Sequence, residues 1–294
     1  MKIHLNGSLV DEADARISVF DRGFLFGDGV YELVRYFDGV GVGIDAHASR
    51  LARSLALARI EGFDAGRLDA IAREALAANA LVDGVVYLQV TRGAGATRAH
   101  VPTAPLMPTV VAIATAAEPL SALRAPQEIA AITAPDMRWK LCEIKTISLM
   151  GNILHLLSAD AQGAQEAILH RDGLVGEGAY SNVAAVLDGA LVTSPIDDGP
   201  PILHGTARLD LLAAAREIGL PVEIRAMTLD ELRRADELMI TSSRRLVSAV
   251  TRLDGAPVGS GRTGGATARL FESMRGAIAA TIAAQRTTPA TVGA

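Results

Sequence analysis

Lys145 is one of only three lysines in 294 residues; the others are Lys2 and Lys140, and the remaining 25 of the 28 basic side chains are arginine. A chain that writes its surface cations as arginine keeps a lysine where an amine is needed. The chemistry an amine has and a guanidinium lacks is Schiff-base formation with a carbonyl. Around it, Leu141-Cys142-Glu143-Ile144-Lys145-Thr146-Ile147-Ser148 alternates apolar and polar residues, which predicts a short, mostly buried strand running into a helix. Burial there lowers an amine's pKa and makes it nucleophilic near neutral pH. The plainer reading is a lysine snorkelling from a strand end.

Four further groupings can do chemistry. Glu177 stands between Gly176 and Gly178, where missing side chains let a flat ligand approach the backbone; otherwise it is an exposed turn glutamate. Thr206 and Ala207 follow His204-Gly205 at the start of a helical pattern. Their free N–H groups and a hydroxyl make either an anion site or an ordinary helix cap. Arg98 and His100 lie two apart in an extended loop after Gly93-Ala94-Gly95. They point the same way and are suited to gripping a carboxylate, or are two solvated polar residues. Tyr31, Arg50 and Ser242-Ser243 read singly as a core tyrosine, a helix-surface arginine and a loop. Arg244-Arg245 reads as a solvated or interface charge pair.

The elements that must position these residues announce themselves through turns. Asn6-Gly7, Asp38-Gly39, Asp172-Gly173, Asp188-Gly189 and Asp254-Gly255 sit between strand-like runs and predict two-residue hairpins. Strands are expected at 30–37, 85–91, 108–114, 166–170, 182–187 and 237–241. Helices are expected at 46–60 with Asp45 as N-cap, 68–80, 148–162 with Leu149, Ile153, Leu156 and Leu157 on one stripe, 206–218 ended by Gly219, and 271–285. Hairpins mixed with helices give an α+β fold of mixed sheets with flanking helices, not a doubly wound parallel sheet.

Length suggests two domains, or one large one. The aperiodic, proline-containing stretch around 116–127 marks the linker: a smaller N-terminal domain over 1–117, the linker at 118–127 and a larger domain over 128–294. Half the residues are hydrophobic and mean hydropathy is +0.28, so wholesale disorder is excluded. Aromatics are 4%, with one tryptophan, so the core is built from Ala, Leu, Val and Ile. A net charge of −5 argues against nucleic acid or anionic lipid as partners. Cys142, the single cysteine, cannot form an intrachain disulfide or a multi-cysteine metal centre. The first residues lack the apolar run of a signal peptide, no stretch is long enough to span a membrane, and RTTPATVGA at the end reads as a frayed tail. The expectation is a cytoplasmic protein. The dinucleotide, phosphate-loop, zinc-protease and serine-hydrolase motifs are missing.

Taken in order, these residues resemble the fold-type IV pyridoxal-phosphate enzymes, the class IV aminotransferases, with the match nearest to the bacterial D-amino-acid transaminases. The resemblance runs from Asp21 to Glu32 (DRGFLFGDGVYE), through Gln89 to Gly93, Arg138-Trp139 to Lys145, Glu166 to His170 and Glu177-Gly178, to Thr241-Ser242. It implies that Lys145 holds pyridoxal 5'-phosphate and shuttles the proton, and that Glu177 binds the pyridine nitrogen. Arg50, the amides of Thr206 and Ala207, and Ser242 or Ser243 would hold the phosphate, with Leu203 against the ring face. Tyr31, Arg98 and His100 would trap the substrate α-carboxylate, the loop coming from a second subunit, so a homodimer with composite sites is implied.

Ala179, Tyr180, Ala207 and Arg244 depart from the family pattern. The reaction implied is ping-pong transamination between a D-amino acid such as D-alanine and a 2-oxo acid, 2-oxoglutarate or pyruvate. The substrate side chain is expected on the less charged side, near Leu33 and the Ala179-Tyr180 wall. The alternatives are an L-branched-chain aminotransferase, an aminodeoxychorismate lyase on the same fold, or a non-catalytic cofactor-binding protein.

Overall fold

In the computed structural model, which describes residues 1–287, two sheets are joined by a short connection. The expected frayed tail lies, from Thr288 on, outside the described residues. The first sheet contains β1 (Lys2–Leu5), β2 (Ser8–Asp11), β3 (Gly29–Phe37), β4 (Val40–Gly41), β5 (Gly84–Thr91) and β6 (Thr109–Ala116), in the order β2-β1-β6-β5-β3-β4. All its pairings are antiparallel. The helix α1 (Arg22–Phe26) leads into β3, and α2 (Ile44–Ala58) and α3 (Leu68–Ala78) cover one face. Leu51, Leu68, Val86 and Leu88 are fully buried between them, each stabilising the fold by about 1.5–3 kcal/mol.

The second sheet contains β7 (Gln127–Pro135), β8 (Glu166–Arg171), β9 (Leu174–Gly178), β10 (Asn182–Leu187), β11 (Ala190–Thr193), β12 (Val222–Ile224), β13 (Met227–Thr228), β14 (Glu237–Ser242), β15 (Leu246–Leu253) and β16 (Ala256–Pro257). Its order is β12-β11-β10-β14-β15-β7-β8-β9-β13, with β16 on β15. The pairs β7–β8, β7–β15 and β11–β12 are parallel and the others antiparallel, so the sheet is mixed. Around it stand α4 (Met150–Asp160), α5 (Thr206–Glu217), α6 (Leu229–Arg233) and α7 (Gly265–Thr287). The two halves interlock: Phe37 and Val40 pack with α5 and α7, while Ile144 joins the core of the first sheet. No helix among the described residues is long and apolar enough to cross a membrane.

All five Xaa-Gly pairs form hairpin turns. The first residue has φ between +48° and +51° and the glycine between +74° and +89°. This is the left-handed pair that a type I′ turn demands.

Two local expectations are corrected and a third is refined. Asp45 lies inside the first turn of α2, because His47 N already donates to Gly43 O at 3.0 Å and moves the cap to Gly43. The stripe on α4 is divided: Leu149 and Leu156 are half-buried, with Leu156 against the core, but Ile153 is 47% and Leu157 59% exposed, whereas His155 and Ala159 are buried. The helix turns its small residue to β8 and leaves large apolar side chains uncovered. Lys145 is not in a strand; residues 141–149 are irregular, and the extended stretch is held by a single bridge between Val30 and Thr146.

Candidate active site

Two hollows of about 140 and 320 Å³ meet at Lys145, and they share Tyr31, Tyr180, Ser181 and Leu203 as walls. The lysine backbone is fixed on both sides: Tyr31 N donates to Lys145 O at 2.9 Å, and Lys145 N donates to Ser54 Oγ at 3.1 Å. Its side chain is half-buried rather than sealed in a core. Nζ stands 4.3 Å from the centre of the Tyr31 ring, a cation–π arrangement that keeps the amine over β3 and facing both hollows.

Glu177 closes the smaller hollow. It belongs to β9 and is buried, not an exposed turn residue. Oε1 accepts from Arg138 Nη1 at 2.8 Å; Oε2 accepts from Leu203 N at 2.9 Å and Asn182 Nδ2 at 3.2 Å. Burial pushes its pKa up, against the opposing charge of Arg138. The glycine beside it makes room for the protein itself. A Cβ on Gly178 would lie 2.2 Å from Ser181 Oγ and 2.6 Å from Glu166 Oε2. Behind it, Glu166 accepts from Ser181 Oγ and from the amides of Ala167 and Ala179. Burial pushes its pKa to about 7, although these donors pull the other way.

The larger hollow ends in a cradle. Alternation in β3 puts Glu32 on the inward face between Val30 and Val34, where an ionised carboxylate needs partners. Helix α2 supplies them: Arg50 Nε and Nη2 donate to Glu32 at 2.8 and 2.7 Å, and His47 Nδ1 lies 2.6 Å from Glu32 Oε2. Burial raises the Glu32 pKa, but Arg50 and His47 bring it down to about 2. Burial keeps the His47 pKa low. With Nδ1–H given to Glu32, His47 Nε2 accepts from the Thr206 hydroxyl at 3.2 Å, and Thr206 Oγ1 lies 3.3 Å from Ser243 Oγ.

Thr206 opens α5 behind Gly205, which gives no side-chain cap, so the first amides are free for an anion. Thr241 Oγ1 is buried in the same wall with no hydrogen-bond partner among the described residues. Arg208, in contrast, turns away and donates to Ser194 O. The structure thus brings together Lys145, Glu177, Arg50, Leu203, Thr206, Ala207, Ser242, Ser243 and Tyr31.

Arg98 and His100 are elsewhere. Both lie against Phe26, at 4.9 and 5.5 Å from its ring centre, and neither lines a hollow that holds Lys145. Arg22 pins their loop by donating to Ala99 O and His100 O. The side near Leu33 and Tyr180 is also not the less charged one, because Arg244 and Arg245 line it. Sequence reasoning assigned no role to Glu32, His47, Arg138 or Asn182. A carboxylate on the apolar face of a strand was the available signal for Glu32, and His47 and Arg50 at i and i+3 of one helix were its natural partners.

The family model for amino-transferase class IV matches residues 29–253. The chain is 39% identical over 281 residues to the D-alanine aminotransferase of Bacillus licheniformis, covering 95% of this chain and 97% of that one. Among solved structures, the branched-chain amino acid aminotransferase of Escherichia coli superposes with a TM-score of 0.85 at 24% identity, covering 99% of this chain and 97% of that one. A fold IV transaminase from Curtobacterium pusillum superposes with a TM-score of 0.76 at 27% identity, covering 92% of each chain.

Proposed function

The chain belongs to the class IV aminotransferases, enzymes that work with pyridoxal 5'-phosphate, and from that premise we propose that it transfers the amino group of a D-amino acid, D-alanine foremost, to a 2-oxo acid. One observation carries the reading of the site: the Lys145 amine stands between a buried carboxylate, Glu177, and an anion cradle built from Arg50, the start of α5 and Ser242-Ser243. A ring with a basic nitrogen at one end and a phosphate at the other fits between them. The unpartnered Thr241 hydroxyl and uncapped amides at the cradle end are what such a phosphate would satisfy.

When bound, the cofactor supplies an aldehyde for amines and a sink for the electrons left at the substrate Cα. The protein does the rest. Glu177 has one acceptor position left after Arg138, Leu203 and Asn182; it holds the proton on the ring nitrogen and so deepens the sink. Arg50, fixed by Glu32 and by His204 O, offers its remaining N–H groups to the phosphate, with the amides of Thr206 and Ala207 and the hydroxyls of Ser242 and Ser243. Leu203 packs on the ring face. Lys145 Nζ takes the proton from the substrate Cα and gives it up on the other side of the transfer, and Tyr31 orients both amine and substrate.

Arg98 and His100 complete the α-carboxylate trap from a second subunit, which is why they stand apart from Lys145 in their own chain. The uncovered apolar stripe of Met150, Ile153, Leu154 and Leu157 on α4, with Trp139 and Leu141 nearby in sequence, supports a homodimer. The division at 118–127 stays part of this reading, with the cofactor held mainly by the larger, C-terminal part. The test is a donor screen with both enantiomers of each amino acid against 2-oxoglutarate. D-alanine should be turned over and L-leucine and L-valine poorly; faster turnover of either L-amino acid would overturn the assignment.

A further inference from the structure

A third hollow, of about 670 Å³, lies between β3, the segment from Ala116 to Gln127 and the turn joining β14 to β15. Four arginines line it: Arg35, Arg124, Arg244 and Arg245. Glu118 is the single acidic residue in its wall, and its backbone carbonyl, not its carboxylate, accepts from Arg35 Nη2. Arg35 is 3% exposed; its guanidinium sits 4.3 Å from the centre of the Phe37 ring, and its Nε and Nη1 have no hydrogen-bond partner among the described residues. Arg124, Arg244 and Arg245 have no side-chain ion pair among the described residues. Burial depresses the Arg35 pKa and the like charge of Arg244 adds to it, while the charges of Asp83 and Glu118 oppose them in part. In a chain with a net charge of −5, this is a local excess of positive charge with open N–H groups, and such a hollow lowers its energy by taking an anion.

The hollow adjoins the catalytic one. Arg244 and Arg245 belong to the walls of both. Along β3, Tyr31, Leu33 and Arg35 alternate on one face at intervals of about 6.6 Å, leading from the Lys145 amine outward into the arginines. The turn that carries Arg244 and Arg245 is held in shape by Leu246 at φ +61° and starts at Ser242-Ser243, which the proposed function assigns to the cofactor phosphate.

We propose that Arg35, Arg124, Arg244 and Arg245 form a carboxylate-binding site at the outer edge of the catalytic pocket. The carboxylate has two possible sources: the distal group of a dicarboxylic substrate seated at Lys145, or a free dicarboxylate bound beside the substrate. The binding itself does not depend on the reaction; only the choice between sources rests on the proposed function.

The holoenzyme is titrated calorimetrically with glutarate and with pentanoate, unreactive acids of equal chain length that differ by one carboxylate. Glutarate should bind at least tenfold tighter, and R244Q/R245Q and R124Q should each reduce that preference, while R244K/R245K retains part of it. Equal binding of the two acids, or a preference indifferent to these substitutions, overturns the site. The source is then read from rates with D-alanine as donor. If the carboxylate belongs to the substrate, R244Q/R245Q lowers kcat/KM for 2-oxoglutarate at least tenfold more than for 2-oxopentanoate. If it is free, that ratio stays constant while glutarate affinity still falls. Absence of transamination with either oxo acid would count against the proposed function and leave the glutarate result standing.

Discussion

Arg138 Nη1 lies 2.8 Å from Oε1 of Glu177, and both side chains are almost wholly buried. Arg138 is held in turn by Asp136, with Nε 3.0 Å from Oδ1. The carboxylate at the end of the smaller hollow is therefore anchored from behind, and its three hydrogen bonds leave one acceptor position unused. Removing the arginine strands a buried carboxylate, a loss of about 3–5 kcal/mol. Arg138→Leu should lower the denaturation free energy by that order, and by less in a Glu177→Gln background, where only Asp136 loses a charge partner and keeps Arg171. Equal losses in the two backgrounds would show that the pair is not coupled. Glu177→Gln itself should keep the cofactor yet slow the proton transfer at Cα by orders of magnitude.

The cradle should fail in acid. Glu32 has a folded pKa of about 2 against an ordinary 4.5, because Arg50 and His47 outweigh its burial. A depressed carboxylate contributes stability that is present above its unfolded pKa and lost as pH falls through the folded one, here about 3 kcal/mol lost between pH 4.5 and 2. Urea midpoints measured across that window should fall steeply for the wild type. In Glu32→Gln, already weaker at neutral pH, the slope should be shallower.

Glu166 should act in the opposite direction. Burial raises its folded pKa to about 7 from 4.5, so its contribution is fully present below pH 4.5 and is lost as pH rises through 7, again about 3 kcal/mol. Glu166→Gln keeps an acceptor for the amides of Ala167 and Ala179 and can donate to Ser181. Stability of this variant should vary less between pH 5 and 8 than that of the wild type. An unchanged pH profile would mean that Glu166 is ionised throughout.

Lys145→Ala should abolish turnover, and borohydride treatment of the yellow wild-type protein should fix the cofactor on the peptide that contains Lys145. Attachment to Lys140 or Lys2 would refute the assignment.

Arg98 and His100 should act across a subunit boundary. Lys145→Ala and Arg98→Ala/His100→Ala proteins, each inactive alone, should regain activity when mixed, because one of the two sites in the heterodimer is intact. A catalytically competent monomer in sedimentation and rate measurements would rule this out.

The five hairpins were legible because a type I′ turn is a property of two adjacent residues, and Asn or Asp before Gly is nearly sufficient for it. The strand expected at 182–187 matches β10, and that at 30–37 starts one residue late, because alternation or an apolar run is also local. The strand β7 was missed, since it pairs in parallel with β8 and with β15, more than a hundred residues away, and a short alanine-rich run carries no local mark of that. The scarcity of lysine and the order of motifs singled out Lys145, Glu177 and the residues proposed to hold the phosphate.

What the chain sequence could not say is how they are held. The extended shape at Lys145 is imposed by β3, not by its own alternation. Burial of Glu177 depends on β9 being covered, and the partners of Glu32 come from a helix that only the fold lays against it. The large apolar residues of α4 are exposed because its neighbours touch the other face. Turn and strand preferences are set by neighbouring residues, whereas burial, charge pairing and the sharing of Arg244 between two hollows depend on surfaces that meet only after the chain has folded.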